Sequence, residues 1–218
     1  MKAVFIENKN SEAKGYQGEK VLFDSIKKYF NDRECIAKHG YLMNFSENKF
    51  TIEADAILFD KELGINIFEV KGIKIDNILS ISTDGWDCQG IYKSKISPVY
   101  QVDRNASNLI DFLKNCNRYY IGIGVKAIIV LPYITSEEWK IEGFNNYAFL
   151  PPIIFKDDLE NKELFFEKLY RIPYKCTAKG QIKDEEFDNV KETLFGDIEE
   201  GLTPHKIISE EDFLRQLL

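Results

Sequence analysis

The segment from Thr51 to Gly72, TIEADAILFDKELGINIFEVKG, constrains the fold more than any other part of the chain. It predicts two strands, at 52–59 and 65–71, joined by a tight turn. Side chains alternate across a strand, and both faces of these two strands are mostly apolar. That pattern is typical of a sheet that is covered on both sides.

Polar side chains interrupt this pattern at one end of one face, where Glu53, Asp55, Glu69 and Lys71 collect. A turn centred near 61–62 brings Asp55 close to Glu69, and like charges opposite each other destabilise a sheet. A divalent cation between them reverses the sign of that interaction, and oxygen ligands suit Mg²⁺ or Mn²⁺. Lys71 projects from the same face and would reach whatever the metal holds. The alternative is a fraying hairpin end with solvated charges.

The overall charge gives no direct sign of a nucleic-acid partner. The chain has 218 residues, the length of one domain with additions, and a formal net charge of −7. Any phosphate contact must therefore come from a local basic patch within an acidic background. Basic side chains near the proposed site are Lys14, Lys20, Lys27, Lys28, Lys71, Lys74, Lys93, Lys95 and Arg104.

Cysteine and histidine content argues against a zinc site. The four cysteines are isolated, without zinc-ligand spacing or the pattern of a disulfide framework, and only two histidines are present. A reducing cytoplasm is the simplest compartment. We expect no membrane contact, because the N-terminus lacks a signal peptide's apolar run and no stretch approaches the ~20 apolar residues of a span.

Residues 15–30 have the apolar spacing of a helix, and Glu19 projects from the apolar stripe of that helix. This position favours a third acidic group at the metal or its water shell. The alternative is a first-turn glutamate stabilised by the helix dipole. A strand at 35–45, with Gly40 as a candidate bulge, leads into the central hairpin.

A second hairpin is predicted at 75–82 and 86–92, because Asp84-Gly85 is a strong turn signal. It is either simple edge packing, the interpretation we favour, or a flap beside a substrate groove with Lys93 and Lys95 near its exit. Ser97-Pro98 then begins a helix that extends to about 115. Gln101, in its first turn, would orient a water or phosphate, or is simply a solvated amide.

The rest of the chain completes an α/β pattern. Residues 124–131 are almost continuously apolar, as in a central strand, and 147–155 indicates an edge segment. A helix is predicted from the Asp157-Asp158 cap to 170. We therefore expect an α/β sandwich with a mixed sheet flanked by helices. Residues 176–218 form a predicted C-terminal helical extension or linker, which would suit a connection to a further domain; a self-contained terminal helix is the alternative.

These residues, taken in order, resemble the PD-(D/E)XK nuclease superfamily, and in finer wording its nuclease-related domain, NERD. The resemblance covers about residues 15–132, with weaker continuity to about 170, and so implies a nuclease-like domain at 1–175. It rests on Gly18-Glu19, Glu53-Ala54-Asp55, Phe68-Glu69-Val70-Lys71-Gly72, Gly85-Trp86, Ser97-Pro98 and Gln101.

The resemblance implies a restriction-endonuclease-like fold and Mg²⁺- or Mn²⁺-dependent cleavage of DNA, serving defence against foreign DNA or DNA processing. By this resemblance Asp55, Glu69 and Glu19 would be metal ligands. Lys71 would position or activate the attacking water. Gln101 completes the implied site. Family members are often joined to helicases or other domains, which fits a chain too acidic to bind DNA tightly alone.

Two other functions remain open from the residues. One is a nuclease fold that holds nucleic acid, or a partner domain such as a helicase, with weak turnover or none. The other is an assembly domain in which the tail at 197–218 does the work.

Overall fold

The computed structural model describes residues 3–7, 15–45, 50–90, 92, 94–116, 120, 122–178 and 182–196. The strands are β1 (Val4–Ile6), β2 (Cys35–Phe45), β3 (Phe50–Asp60), β4 (Gly64–Val70), β5 (Ile78–Ser82), β6 (Gly85–Cys88), β7 (Val125–Leu131) and β8 (Ile153–Phe155). The helices are α1 (Tyr16–Phe30), α2 (Pro98–Cys116), α3 (Ser136–Ile141), α4 (Lys156–Glu160), α5 (Lys162–Arg171) and α6 (Asp184–Phe195).

The predicted fold class is confirmed: a mixed six-stranded sheet, in the order β1-β2-β3-β4-β7-β8, lies between helices. Strands β2, β3 and β4 pair antiparallel, whereas β1 with β2, β4 with β7 and β7 with β8 pair parallel. All seven residues of β4 and all seven of β7 are buried, as the continuous apolar runs predict for central strands.

Each face of the sheet has its own apolar core. Helices α1, α4 and α5 cover one face, packing on side chains that include Ala56, Leu58, Phe68, Ile128 and Val130. Helices α2 and α6 and the β5–β6 hairpin cover the other, packing on side chains that include Ile57, Phe59, Ile65, Ile67 and Ile129. The alternation along β3 and β4 sorts neighbouring residues into these two cores.

The turn between β3 and β4 is held by Asp60, which is 1 % exposed. Its carboxylate accepts the amide protons of Glu62 and Leu63 at 3.0 and 2.9 Å and a bidentate pair from Arg33 at 2.7 and 2.8 Å. Gly64 closes the turn at φ +68, where an added Cβ would lie 2.3 Å from the Gly124 carbonyl oxygen. These contacts fix the register of the hairpin.

Several elements differ from their predicted extents. The second hairpin is shorter than expected: 75–77 is a 3₁₀ turn in which the Lys74 amide donates to Asn77 Oδ1 at 3.2 Å, and β6 ends at Cys88. The helix predicted to reach 170 is broken at Asn161, whose extended backbone and side-chain cap to the Leu164 amide begin α5. The short elements β1 and α3 carry too few residues for a periodic pattern and were not predicted.

Helix α6 packs into the core beside α2. Phe187 stacks on Phe59 with ring centroids 4.5 Å apart, and the Tyr41 hydroxyl donates to the Leu194 carbonyl at 2.9 Å. The helix predicted after residue 176 is thus part of the folded unit, while the predicted tail at 197–218 lies outside the described residues. In the described part of the chain, none of the helices is long and apolar enough to cross a membrane.

Truncating Phe187 tests whether α6 stabilises the domain. We expect Phe187→Ala to lower the free energy of unfolding by about 3–5 kcal/mol, because it empties a buried aromatic site. Asn189→Ala, at an exposed position of the same helix, should change it by less than about 0.5 kcal/mol. Urea titrations followed by circular dichroism measure both free energies of unfolding. An effect of Phe187→Ala as small as that of Asn189→Ala would show that α6 adds nothing to the core.

Candidate active site

The candidate site lies where β3 and β4 separate. Their ladder runs from the Asp60–Gly64 pair to the Ala56–Phe68 pair. Beyond it β3 continues against β2 alone, while β4 continues against β7 as far as Val70. Asp55 and Glu69 are the next opposed positions, so they face each other across the opening, in the register that the sequence predicts.

Asp55 lies in this opening, and the backbone at the end of β4 binds its carboxylate. The Val70 amide donates to Asp55 Oδ2 at 2.6 Å. Burial, the Glu69 charge and the Glu19 charge raise the pKa of Asp55 to about 7. Glu69 and Glu19 thus lie near Asp55, and the charge of Lys71 offsets only part of their effect on its pKa.

Glu69 and Lys71 form a buried ion pair at the end of β4. They are 7 % and 8 % exposed, and Lys71 Nζ lies 2.5 Å from Glu69 Oε1. Burial lowers the pKa of Lys71, but the Glu69 carboxylate outweighs it, so the pKa of the ammonium is raised. The Lys71 amide still donates to the Val130 carbonyl at 2.9 Å, which keeps the backbone beside β7.

Glu19 reaches the site because α1 approaches the end of β4 closely. A Cβ on Gly18 would lie 3.3 Å from the Gly72 Cα and 3.3 Å from Pro132 Cγ, so a larger residue would push α1 and the end of β4 apart by a few tenths of an ångström. Glu19 Oε2 lies 3.0 Å from His39 Nε2. The sequence pointed to Glu19 but not to His39, whose position on the α1 side of β2 follows from the alternation Cys35, Ala37, His39.

Gln101 lies on the face of α2 that runs along β3. On this face Asn108 Nδ2 donates to the Thr51 carbonyl at 3.1 Å, and Asn105 hydrogen-bonds both backbone groups of Glu53. Gln101 precedes Asn105 by one turn, which places it at the level of Asp55. Its buried Oε1 has no hydrogen-bond partner among the described residues.

Four of the five predicted residues therefore meet at the opening. Asp55, Glu69, Lys71 and Glu19 are linked by register, hydrogen bonds or the charges that Asp55 experiences, and Gln101 lies in line with them without a contact to them among the described residues.

The β5–β6 hairpin lies beside this opening. Burial raises the pKa of Cys88, at the end of β6, and that of Tyr92. The charge of Lys71 lowers both pKa values by a smaller amount, so Lys71 lies near both side chains. Trp86 is buried and exchanges backbone hydrogen bonds with Ile96 at 2.7 and 3.0 Å, so the loop after β6 folds back on the hairpin. Lys93, proposed for the groove exit, lies outside the described residues.

The donor set fits a hard divalent cation in its chemistry, since it offers carboxylate oxygens and an unpartnered buried amide oxygen. In the arrangement described, however, Glu69 is held by Lys71 and Glu19 by His39. Within the described ranges, no three His, Cys, Asp or Glu side chains stand close enough together to hold a metal ion. Glu69 would offer both carboxylate oxygens to such an ion only after the Lys71 ammonium leaves Oε1.

Comparison with known proteins gives one match. A family model described as nuclease-related domain, NERD, matches residues 14–132, which span α1 to the end of β7 and include all five predicted site residues. No curated protein and no solved structure matches the chain.

The raised pKa of Asp55 predicts a pH-dependent cost of folding. The carboxyl is protonated in the folded protein up to pH about 7 but ionises near 3.8 when unfolded. The unfolded chain therefore binds fewer protons between these values, and stability falls as pH rises through that window.

We expect metal-free Asp55→Asn to gain stability over the parent at pH 8, by about 4 kcal/mol, and by less than about 1 kcal/mol at pH 4. Urea unfolding with EDTA present measures this difference, and Asp111→Asn on the exposed face of α2 is the control. A constant difference between the two pH values would contradict the burial of a charged Asp55.

Proposed function

We propose that this chain, which belongs to the nuclease-related domain family, is a metal-dependent DNA endonuclease that hydrolyses phosphodiester bonds. The observation that carries the proposal is the opposed pair Asp55 and Glu69 at the opening between β3 and β4, with Lys71 beside it. Defence against foreign DNA and DNA processing are the roles that such an activity would serve.

In this proposal Asp55, Glu69 and Glu19 hold Mg²⁺ or Mn²⁺. A metal ion held by these residues would polarise a phosphate and lower the pKa of a bound water. The ion also offsets the mutual repulsion that now raises the pKa of Asp55. The three carboxylates come from α1, β3 and β4, so the packing of α1 on Gly72 decides whether the set assembles.

Lys71 is the cation that this chain itself brings to the reaction. Its ammonium sits 2.5 Å from Glu69 and would move to the scissile phosphate or the attacking water when Glu69 turns to the metal. There it stabilises negative charge that develops on the phosphoryl oxygens. Gln101 Oε1, a buried acceptor with no described partner, would accept a hydrogen bond from the attacking water and so orient it.

The acidic balance of the chain affects substrate binding. With a net charge of −7, long-range attraction to DNA is weak, and phosphate contacts must come from local lysines. A fused or associated domain such as a helicase would then deliver the DNA.

The nuclease assay uses supercoiled plasmid DNA with Mg²⁺ or Mn²⁺, and EDTA as the blank. We expect nicking by the parent and at least about 10²-fold slower nicking by Asp55→Asn, Glu69→Gln and Lys71→Met. The controls Glu167→Gln and Lys114→Met, both exposed and paired only with helical neighbours, should cut like the parent. Cutting by all three site variants at the parental rate would remove the assignment.

Metal binding is tested separately from cutting. A ligand that binds only the folded protein stabilises it, by about 2.7 kcal/mol at one hundred times its dissociation constant. We expect saturating Mn²⁺ to raise the melting temperature of the parent and of Lys71→Met, but not that of Asp55→Asn. Calcium-free buffer and matched ionic strength exclude general salt effects.

A second candidate function is supported by the closed Lys71–Glu69 pair. If that pair stays closed, the fold would hold nucleic acid or a partner domain without turnover. Salt-dependent DNA binding by the parent, with no cutting in any divalent ion, would favour this alternative. An affinity that does not change with salt would argue against phosphate contact.

A further inference from the structure

A histidine that the proposed chemistry does not use lies behind the site. We infer that His39 is a positioning residue: it holds the Glu19 carboxylate in the orientation in which that group serves the metal. The inference rests on the proposed metal centre, and it goes further by assigning a role to a residue that is not itself a ligand.

The ring of His39 is fixed by its surroundings. His39 is 3 % exposed and stacks on two aromatic rings of α1. Its centroid is 5.2 Å from that of Tyr16 at an interplanar angle of 28°, and 5.3 Å from that of Phe23 at 26°. A buried ring that stacks on two aromatic neighbours has little freedom to turn, so the direction of its ring nitrogens is set by packing.

That fixed ring aims one nitrogen at Glu19. Nε2 lies 3.0 Å from Glu19 Oε2, and an ionised carboxylate can only accept, so Nε2 carries the proton and donates. The Glu19 side chain is 16 % exposed, so water competes little for this oxygen. The other oxygen, Oε1, lies 3.2 Å from the position that a Cβ on Gly15 would take, and Gly15 has φ +98. One carboxylate oxygen thus faces His39 and the other faces Gly15 at the start of α1.

The bond also places Glu19 at the right level of the sheet. His39 pairs with Ala56 in the β2–β3 ladder, and Ala56 directly follows Asp55. The Glu19–His39 bond therefore ties α1 to β2, at the position that pairs with the residue next to Asp55. Outer-shell partners of this kind orient metal-ligating carboxylates, and their loss typically costs 10–100-fold in metal affinity or activity.

Two substitutions separate the hydrogen bond from the stacking. His39→Phe keeps a ring beside Tyr16 and Phe23 but removes the donor, whereas His39→Gln loses the ring and keeps an N–H. The matched control is Tyr29→Phe, which removes one buried hydrogen bond from α1 to the Leu159 carbonyl, at 3.0 Å, and leaves the site untouched.

Mn²⁺ affinity of the full chain, measured by calorimetry at a pH where circular dichroism shows all variants folded, is the readout. We expect His39→Phe to weaken Mn²⁺ binding by about 10–100-fold, His39→Gln to recover most of it, and Tyr29→Phe to match the parent. Equal affinity for His39→Phe and the parent, or equal losses in His39→Phe and Tyr29→Phe, would overturn the inference.

A double-mutant cycle shows whether His39 acts through Glu19. In the Glu19→Gln background, adding His39→Phe should have no further effect on Mn²⁺ affinity. The same loss in both backgrounds would overturn the inference while leaving the metal centre intact. A parent that binds no Mn²⁺ would overturn the metal centre itself, and with it the role of His39.

Discussion

The site depends on the separation of β3 from β4 at Asp55 and Glu69. As long as two strands stay paired, opposed carboxylates must repel each other at short range, and a sheet avoids that arrangement. Here the β3–β4 ladder stops at the Ala56–Phe68 pair, and the Val70 amide donates a hydrogen bond to the Asp55 carboxylate. Because the strands separate here, the two carboxylates can lie opposite each other without the close repulsion of a paired sheet.

The rest of the fold sets where that opening lies. The Asp60 turn, locked by Arg33 and by Gly64, fixes the register, and a slip of one residue would send Asp55 to the opposite face. On one side α1 comes close through Gly18 and delivers Glu19. On the other, asparagines of α2 bind the backbone of β3 at Thr51 and Glu53. Stability and site geometry therefore rest on the same contacts.

Sequence patterns could predict the hairpin, its register and the central strand, because each is governed by local periodicity and one tight turn. They also predicted the grouping of Asp55, Glu69 and Lys71, which follows from alternation alone. They could not predict His39 as the partner of Glu19, because that contact joins α1 to β2 through tertiary packing. The break at Asn161 was missed for a similar reason: one side-chain cap interrupts an otherwise helical pattern.

The carboxylates in the site favour more positive charge than the Lys71 ammonium supplies. Lys71 partly neutralises Glu69, while burial together with the charges of Glu69 and Glu19 still raises the pKa of Asp55 to about 7. A divalent ion would neutralise Glu69 in place of Lys71, and the lysine would then be free to contact the substrate. Assembly of the site and release of the lysine are thus one event in this account.

Anomalous diffraction from a crystal soaked in Mn²⁺ tests that event most directly. The account predicts an anomalous peak between the carboxylates of Asp55 and Glu69, with Lys71 Nζ withdrawn from its 2.5 Å contact with Glu69 Oε1. Density that shows the Lys71–Glu69 pair intact and no manganese at Asp55 would contradict it.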